Sequence, residues 1–148
     1  GIMDKTVETQ ALDCLMQMLE FYHNILFMAE REAVSGIQEA KLRVLLKLCT
    51  REKLSMSTLG KLLYISKPHM TTLVDALIRE GFVERHYDPD DRRVINISIT
   101  PEGNKRLHSL KEQIRLQIQK RIENLQDNDL KALHQSGEQF LEIVSKIP

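Results

Sequence analysis

The chain has 148 residues, in which 21 Lys and Arg balance 21 Asp and Glu to a formal net charge of zero. That length suits one compact subunit and is short for an enzyme with separate cofactor and substrate halves. The even balance excludes a uniformly basic chain that holds nucleic acid by bulk attraction, two cysteines argue against a disulfide framework, and no apolar run reaches membrane-spanning length.

The first residues lack the basic and apolar regions of a secretory signal, so a cytoplasmic protein with no membrane segment is expected. From about Thr9 to Ala33 the spacing predicts a helix with two apolar stripes. One carries Leu12, Leu15, Leu19, Tyr22 and Leu26, the other Cys14, Met18, Phe21, Ile25 and Met28. A helix apolar on two faces is buried on two sides, and in so small a protein the second side is expected to meet another copy of the chain. Ser35-Gly36 breaks the pattern. A second helix from about Gln38 to Thr50 is expected to bury Leu42, Leu45, Leu46 and Cys49.

Leu54 to Met56 reads as a short strand, and Ser57 as the cap of a helix with Leu59, Leu62 and Leu63 inward. The Tyr64-Ile65 link has the length of a helix-turn-helix joint. Ser66 then caps a helix with Pro68 in its first turn, where a missing amide hydrogen costs nothing. Met70, Leu73, Val74, Leu77 and Ile78 give it one buried stripe, and Gly81 ends it. The opposite face presents Pro68, His69, Thr72, Asp75, Ala76 and Arg79, with Lys67 at the start. Phe82 to Tyr87 reads as a strand, Asp88 to Arg93 as a hairpin tip and Val94 to Ile99 as the return strand, with Ile95, Ile97 and Ile99 inward.

Thr100 and Pro101 supply an N-cap and an N1 proline for a long helix carrying Leu107, Leu110, Ile114, Ile118, Ile122 and Leu125. Asp127 is expected to cap a last helix with Leu130, Leu133, Phe140, Leu141 and Val144. The predicted fold is mainly α with a small β-wing. A winged helix-turn-helix at 38–100 joins an α-helical dimerisation layer from 9–33 and 101–147, all within one subunit of 1–148.

Asp88-Pro89-Asp90-Asp91-Arg92-Arg93, the alternating strand after it and Thr100-Pro101-Glu102-Gly103 closely resemble the wing signature of the MarR family of bacterial transcriptional regulators. The likeness extends back through Leu59-Gly60-Lys61-Leu62-Leu63 and Ser66 to Gly81-Phe82-Val83. Gln38, where a capping Ser or Thr is usual, departs from the pattern. The resemblance implies a homodimeric regulator of double-stranded DNA, usually a repressor, on a pseudo-palindromic operator, with release by a small-molecule effector. It places Arg93 in the minor groove, with Asp91 as the carboxylate that orients it, and Arg92 at a phosphate. Ser66, Lys67, His69, Thr71, Thr72 and Arg79 become candidates for phosphate and base contacts, with Asp75 within reach. Met18, Phe21, Tyr22 and Met28 are the effector-pocket candidates, between the helical layer and the winged region.

Two alternatives stand beside this reading. One is a winged helix that docks a protein partner. The other is a redox-sensing regulator using Cys14, whose competing description is a core thiol with nothing nearby in sequence to lower its pKa. His23, His108 and Glu112 have zinc-binding side chains but no dense ligand cluster, so no metal and no cofactor is expected. With no Gly-rich phosphate loop, no GxSxG elbow and no motif-placed carboxylate pair, no enzymatic activity is expected. The acidic residues Asp75, Glu80, Glu84, Asp88, Asp90 and Asp91 offset the bases of the DNA-facing segment, which predicts modest, salt-sensitive binding.

Overall fold

The computed structural model describes the backbone of residues 2–32 and 39–148 and the side chains of 5–25 and 39–148. The predicted break at Ser35-Gly36, the position of Gln38 and the side chains of Leu26 and Met28 lie outside these described residues. Within them the order is α1 (Ile2–Glu32), α2 (Glu39–Cys49), β1 (Leu54–Ser55), α3 (Met56–Leu63), α4 (Lys67–Arg79), β2 (Val83–Tyr87), β3 (Ile95–Ile99), α5 (Pro101–Arg121) and α6 (Asp127–Val144). The mainly helical fold with a small antiparallel wing is the one the sequence predicts. The three strands run in the order β1-β3-β2, with Leu54 opposite Ile97 and Arg85 also opposite Ile97 from the other side.

One core holds the winged region together. Leu42, Val44, Leu45 and Leu48 of α2 pack with Leu59 and Leu63 of α3, with Met70, Leu73, Val74 and Leu77 of α4, with Leu54, Val83 and Ile97 of the sheet, and with Leu107 and Leu110 of α5. Ile95 and Ile99 lean on this cluster from the edge. Two details of the second and third helices differ from the sequence reading. Leu46 and Leu62 are exposed, whereas Val44 and Leu48 are buried, because α2 is enclosed on more than one side and turns its Leu46 edge outward.

Helix ends show how the joint is built. Ser55, and not Ser57, caps α3: its Oγ accepts from the Thr58 amide at 3.0 Å, so one serine ends β1 and starts the helix. At the other end Ile65 N–H donates to the Gly60 carbonyl at 2.9 Å and Tyr64 N–H to Lys61 at 3.3 Å, the Schellman pattern, with Tyr64 at φ +55°. Gly60 has no side chain to obstruct this, since a Cβ there would stand 3.1 Å from the Ile65 oxygen. Arg43 of α2 donates from Nη2 to the Leu63 carbonyl at 2.7 Å and satisfies another orphan acceptor of the same helix end. Helix α4 closes in the same way, with Gly81 at φ +81° and Phe82 N–H on the Leu77 carbonyl at 2.9 Å.

The outer helices are less buried than the core. No residue of α6 is buried, and Leu12, Leu15, Met16, Leu19 and Phe21 of α1 are exposed on the single chain. The burial expected of Cys14 is not found: it is exposed on this open α1 surface, while Cys49 is half-buried. Helix α5 ends at Arg121, so Ile122 is its C-cap and Leu125 lies beyond it. Helix α6 takes Gln126, not Asp127, as its N-cap, with the Asp129 carboxylate accepting from the Gln126 amide at 3.2 Å.

Candidate nucleic-acid interface

Two elements present the candidate residues. Helix α4 starts at Ser66, whose Oγ accepts from the His69 amide at 3.4 Å. Because Met70, Leu73, Val74 and Leu77 are taken by the core, helical geometry turns Lys67, His69, Thr72 and Arg79 outward, and all four are exposed. Ser66 and Thr71 are exposed as well. The Thr71 and Thr72 hydroxyls donate to the Lys67 and Pro68 carbonyls at 3.1 and 3.2 Å, which uses their protons and leaves oxygen lone pairs for a donor.

The wing tip is organised by its aspartates. Asp88 accepts from the amides of Asp90 and Asp91 at 2.9 and 3.1 Å, an Asx-type turn that bends the chain. Asp91 in turn accepts from the Arg93 amide at 3.0 Å and from its guanidinium at Nε and Nη2, both at 3.1 Å. This is the two-point match of a planar fork to a carboxylate. The Arg93 side chain is nevertheless 91% exposed. It is therefore directed by Asp91 yet open to a ligand, and Arg92 beside it is also exposed.

Both turn aspartates are held below the ordinary carboxyl value of 3.8. The Asp90 amide is the largest cause at Asp88, and the Arg93 guanidinium, then its amide, at Asp91. A depressed carboxyl contributes to the folded turn above its unfolded pKa, and that contribution is lost as pH falls through the folded value. The Asp91 carboxyl carbon, followed by NMR, is thus expected to titrate with a midpoint below 3.8, in step with loss of the Arg93 Nε–H signal. A midpoint at or above that value would show that the clasp does not form in solution.

Several carboxylates near the candidate face are tied to partners within the chain. Asp75 is tied to Arg85 of β2, Glu80 to Lys41 of α2 at 2.5 Å, and Glu84 lies 3.5 Å from His86. With Asp88 and Asp91 engaged in the tip, four of the six carboxylates expected to oppose DNA are turned to internal partners, Glu84 and Asp90 being the exceptions. Among the described residues no carboxylate pairs with Lys61, Lys67, Arg79 or Arg92. Asp75, placed within reach of bases by sequence, is instead a brace between α4 and the wing. Nothing local in the sequence marks Arg85 as its partner.

Of the effector-pocket candidates, Met18, Phe21 and Tyr22 are exposed on α1, and the Met28 side chain lies outside the described residues. A concavity of about 750 Å³ lies elsewhere, between the α3–α4 joint and β3, and its walls include Ser57, Lys61, Tyr64, Lys67 and Arg93. His23 and His108 are exposed, and among the described residues no three His, Cys, Asp or Glu side chains gather as a metal site would require.

Residues 37–95 match the family model described as MarR family. The chain is 38% identical over 74 residues to the HTH-type transcriptional repressor YetL of Bacillus subtilis, covering 49% of this chain and 44% of that one. It is 35% identical over 60 residues to the HTH-type transcriptional regulator SarZ of Staphylococcus saprophyticus, covering 40% and 41%. The chain thus spans about half the length, or less, of these curated relatives. In fold it resembles apo MarR from E. coli, with TM-score 0.67, 22% identity and coverage of 82% of this chain and 95% of that one. The transcriptional regulator BldR from Sulfolobus solfataricus gives 0.70, 21%, 93% and 96%. Residues 37–95, which hold the helix-turn-helix and most of the wing, are therefore the part of the chain that matches the MarR family model, and the fold around them is that of the MarR-like regulators it resembles.

Proposed function

We propose that this chain is a sequence-specific regulator of transcription, in the cytoplasm, that binds double-stranded DNA as a homodimer. The observation that carries the reading is the wing tip: Arg93, aimed by Asp91 and 91% exposed, beside a recognition helix whose outward face is polar and basic. Helix α4 would enter the major groove, where Ser66, Lys67, His69, Thr71, Thr72 and Arg79 meet base edges and phosphates. Arg93 would enter the adjacent minor groove, where a narrow A·T-rich stretch concentrates negative potential, with Arg92 at a phosphate.

The open apolar surface of α1 and α6 supports the dimer. Leu12, Leu15, Leu19 and Phe21 on one helix and Leu133, Leu141 and Ile143 on the other are all exposed on the single chain, apolar side chains that a second copy would cover. Two copies related by a two-fold axis would cover it and set two recognition helices about one helical turn of DNA apart. The similarity to YetL, a transcriptional repressor, supports repression here. An effector that favours a dimer with the wrong helix spacing would release DNA by its differential affinity for the two states.

Selection of sheared genomic DNA by the purified protein, with sedimentation of the free protein in parallel, tests the reading. An enriched inverted repeat with half-sites about one turn apart, bound by a dimer, is the expected result. No enrichment at low salt, with and without phenolic or lipophilic candidate effectors, would sink it and favour a winged helix that docks a protein.

A further inference from the structure

Tyr64 is conspicuous for what it does not gain. It occupies the C′ position of α3 at φ +55° and ψ +42°, a region that glycine and asparagine enter readily and a bulky aromatic residue does not. Its side chain is 94% exposed, so burial of the ring offers nothing to offset the unfavourable backbone. An aromatic side chain kept under strain and in water points to a contact outside the chain.

Its surroundings say what kind of contact. Tyr64 lines the concavity of about 750 Å³ together with Lys61, Lys67, Ser57, Ser66 and the wing residue Arg93. Neither lysine has a carboxylate partner among the described residues. If α4 lies in a major groove and the wing in the adjacent minor groove, the sugar-phosphate strand that separates the two grooves must run between them. The concavity lies between those two elements, lined by Ser66, Lys67 and Thr71 of the recognition helix and its cap and by Arg93, Val94 and Ile95 of the wing.

We propose that the concavity seats one DNA strand, and that the Tyr64 hydroxyl donates a hydrogen bond to a phosphate oxygen there while Lys61 supplies a neighbouring charge. This assignment rests on the DNA-binding reading above and adds Tyr64 and Lys61 to its contact residues. A phosphate contact positions the protein on the duplex without reading sequence.

The test uses the full chain, the duplex selected from genomic DNA and an unrelated duplex. Kd is measured against salt for the wild type, Tyr64→Phe, Tyr64→Asn and Lys61→Gln. Tyr64→Phe is expected to weaken binding to both duplexes by the same roughly 10- to 100-fold, the effect of one hydrogen bond lost in each half of the dimer, with an unchanged salt slope because no charge is removed. Tyr64→Asn is expected to weaken binding at least as much while its thermal midpoint stays at or above that of the wild type, since asparagine fits the left-handed turn. Lys61→Gln is expected to reduce the slope by about 1.8, two charges per dimer at ~0.9 each. Wild-type affinity in Tyr64→Phe, a loss confined to the selected duplex, or a lowered thermal midpoint in both Tyr64 variants would overturn the assignment. A wild type that binds neither duplex would overturn the DNA-binding reading itself.

Discussion

Replacing Arg93 with Ala is expected to weaken binding to the selected duplex by at least about 30-fold, because each half of the dimer loses a well-placed arginine contact worth about 1–3 kcal/mol. The salt slope should fall by about 1.8, because a dimer loses two charges. Fold stability should change little, since the side chain is 91% exposed and its partner Asp91 remains hydrated. Arg93→Lys is not expected to rescue binding. An ammonium keeps the charge but cannot match both Asp91 oxygens at once, so its direction over the groove is lost. Asp91→Asn separates aim from charge. It keeps Arg93 but removes the ionic clasp, and it should weaken binding while raising rather than lowering the positive charge of the tip. Affinity of the Asp91→Asn protein equal to or above the wild type would show that bulk charge, and not orientation, governs the wing.

The parts of this site that were legible in sequence are those built from near neighbours. Ser66 with Pro68 and Thr100 with Pro101 each act within three residues, so spacing alone reveals the cap, whereas the clasp of Asp91 on Arg93 is what the resemblance to the MarR wing implies. The stripe Met70, Leu73, Val74 and Leu77 was legible because one helix face meets one core. Long-range choices were not. Ser55 and Ser57 are both capable caps, and only the pairing of Ser55 with Asn96 across the sheet selects the first. Leu46 and Leu62 satisfy helical periodicity as well as Leu45 and Leu63 do, yet tertiary packing leaves them out. Net charge is silent on arrangement for a similar reason: composition counts carboxylates but cannot show that Asp75 is tied to Arg85 and Glu80 to Lys41. Tyr64 carried no sequence signal, because its significance lies in a backbone angle.

The glycine at 103 shows the same limit and gives the largest expected stability effect. By helix propensity alone, Gly103→Ala inside α5 should stabilise the protein by up to about 1 kcal/mol. Packing predicts the opposite sign. An alanine Cβ at this position would lie 2.1 Å from the Phe82 carbonyl oxygen and 2.7 Å from Cγ1 of Ile99. The oxygen belongs to the backbone, so it cannot rotate away as a flexible side chain would. It is also fixed by its own bond, accepting from Thr100 N–H at 3.0 Å, while the Thr100 hydroxyl donates to the Gly81 carbonyl at 2.7 Å and accepts from Gly103 N–H at 3.0 Å. These bonds join the end of α4, the start of β2 and the first turn of α5 at one buried point. Relief of the clash must therefore move α5 or break part of this junction. The expected cost is about 3 kcal/mol, at the upper end for overpacking, or roughly 6–12 °C in thermal midpoint for a protein of this size. Gly137→Ala is the contrasting case: it too lies in a helix, but nothing in the same chain is within 4 Å of its Cβ position, so propensity should prevail there and the midpoint, read at a concentration where the chain is monomeric because Gly137 shares the Leu133–Leu141 face, should hold or rise. Equal effects of the two substitutions would refute the packing argument. Because the displaced junction anchors both strands of the wing, Gly103→Ala should also weaken DNA binding, although the residue is buried and touches no nucleic acid.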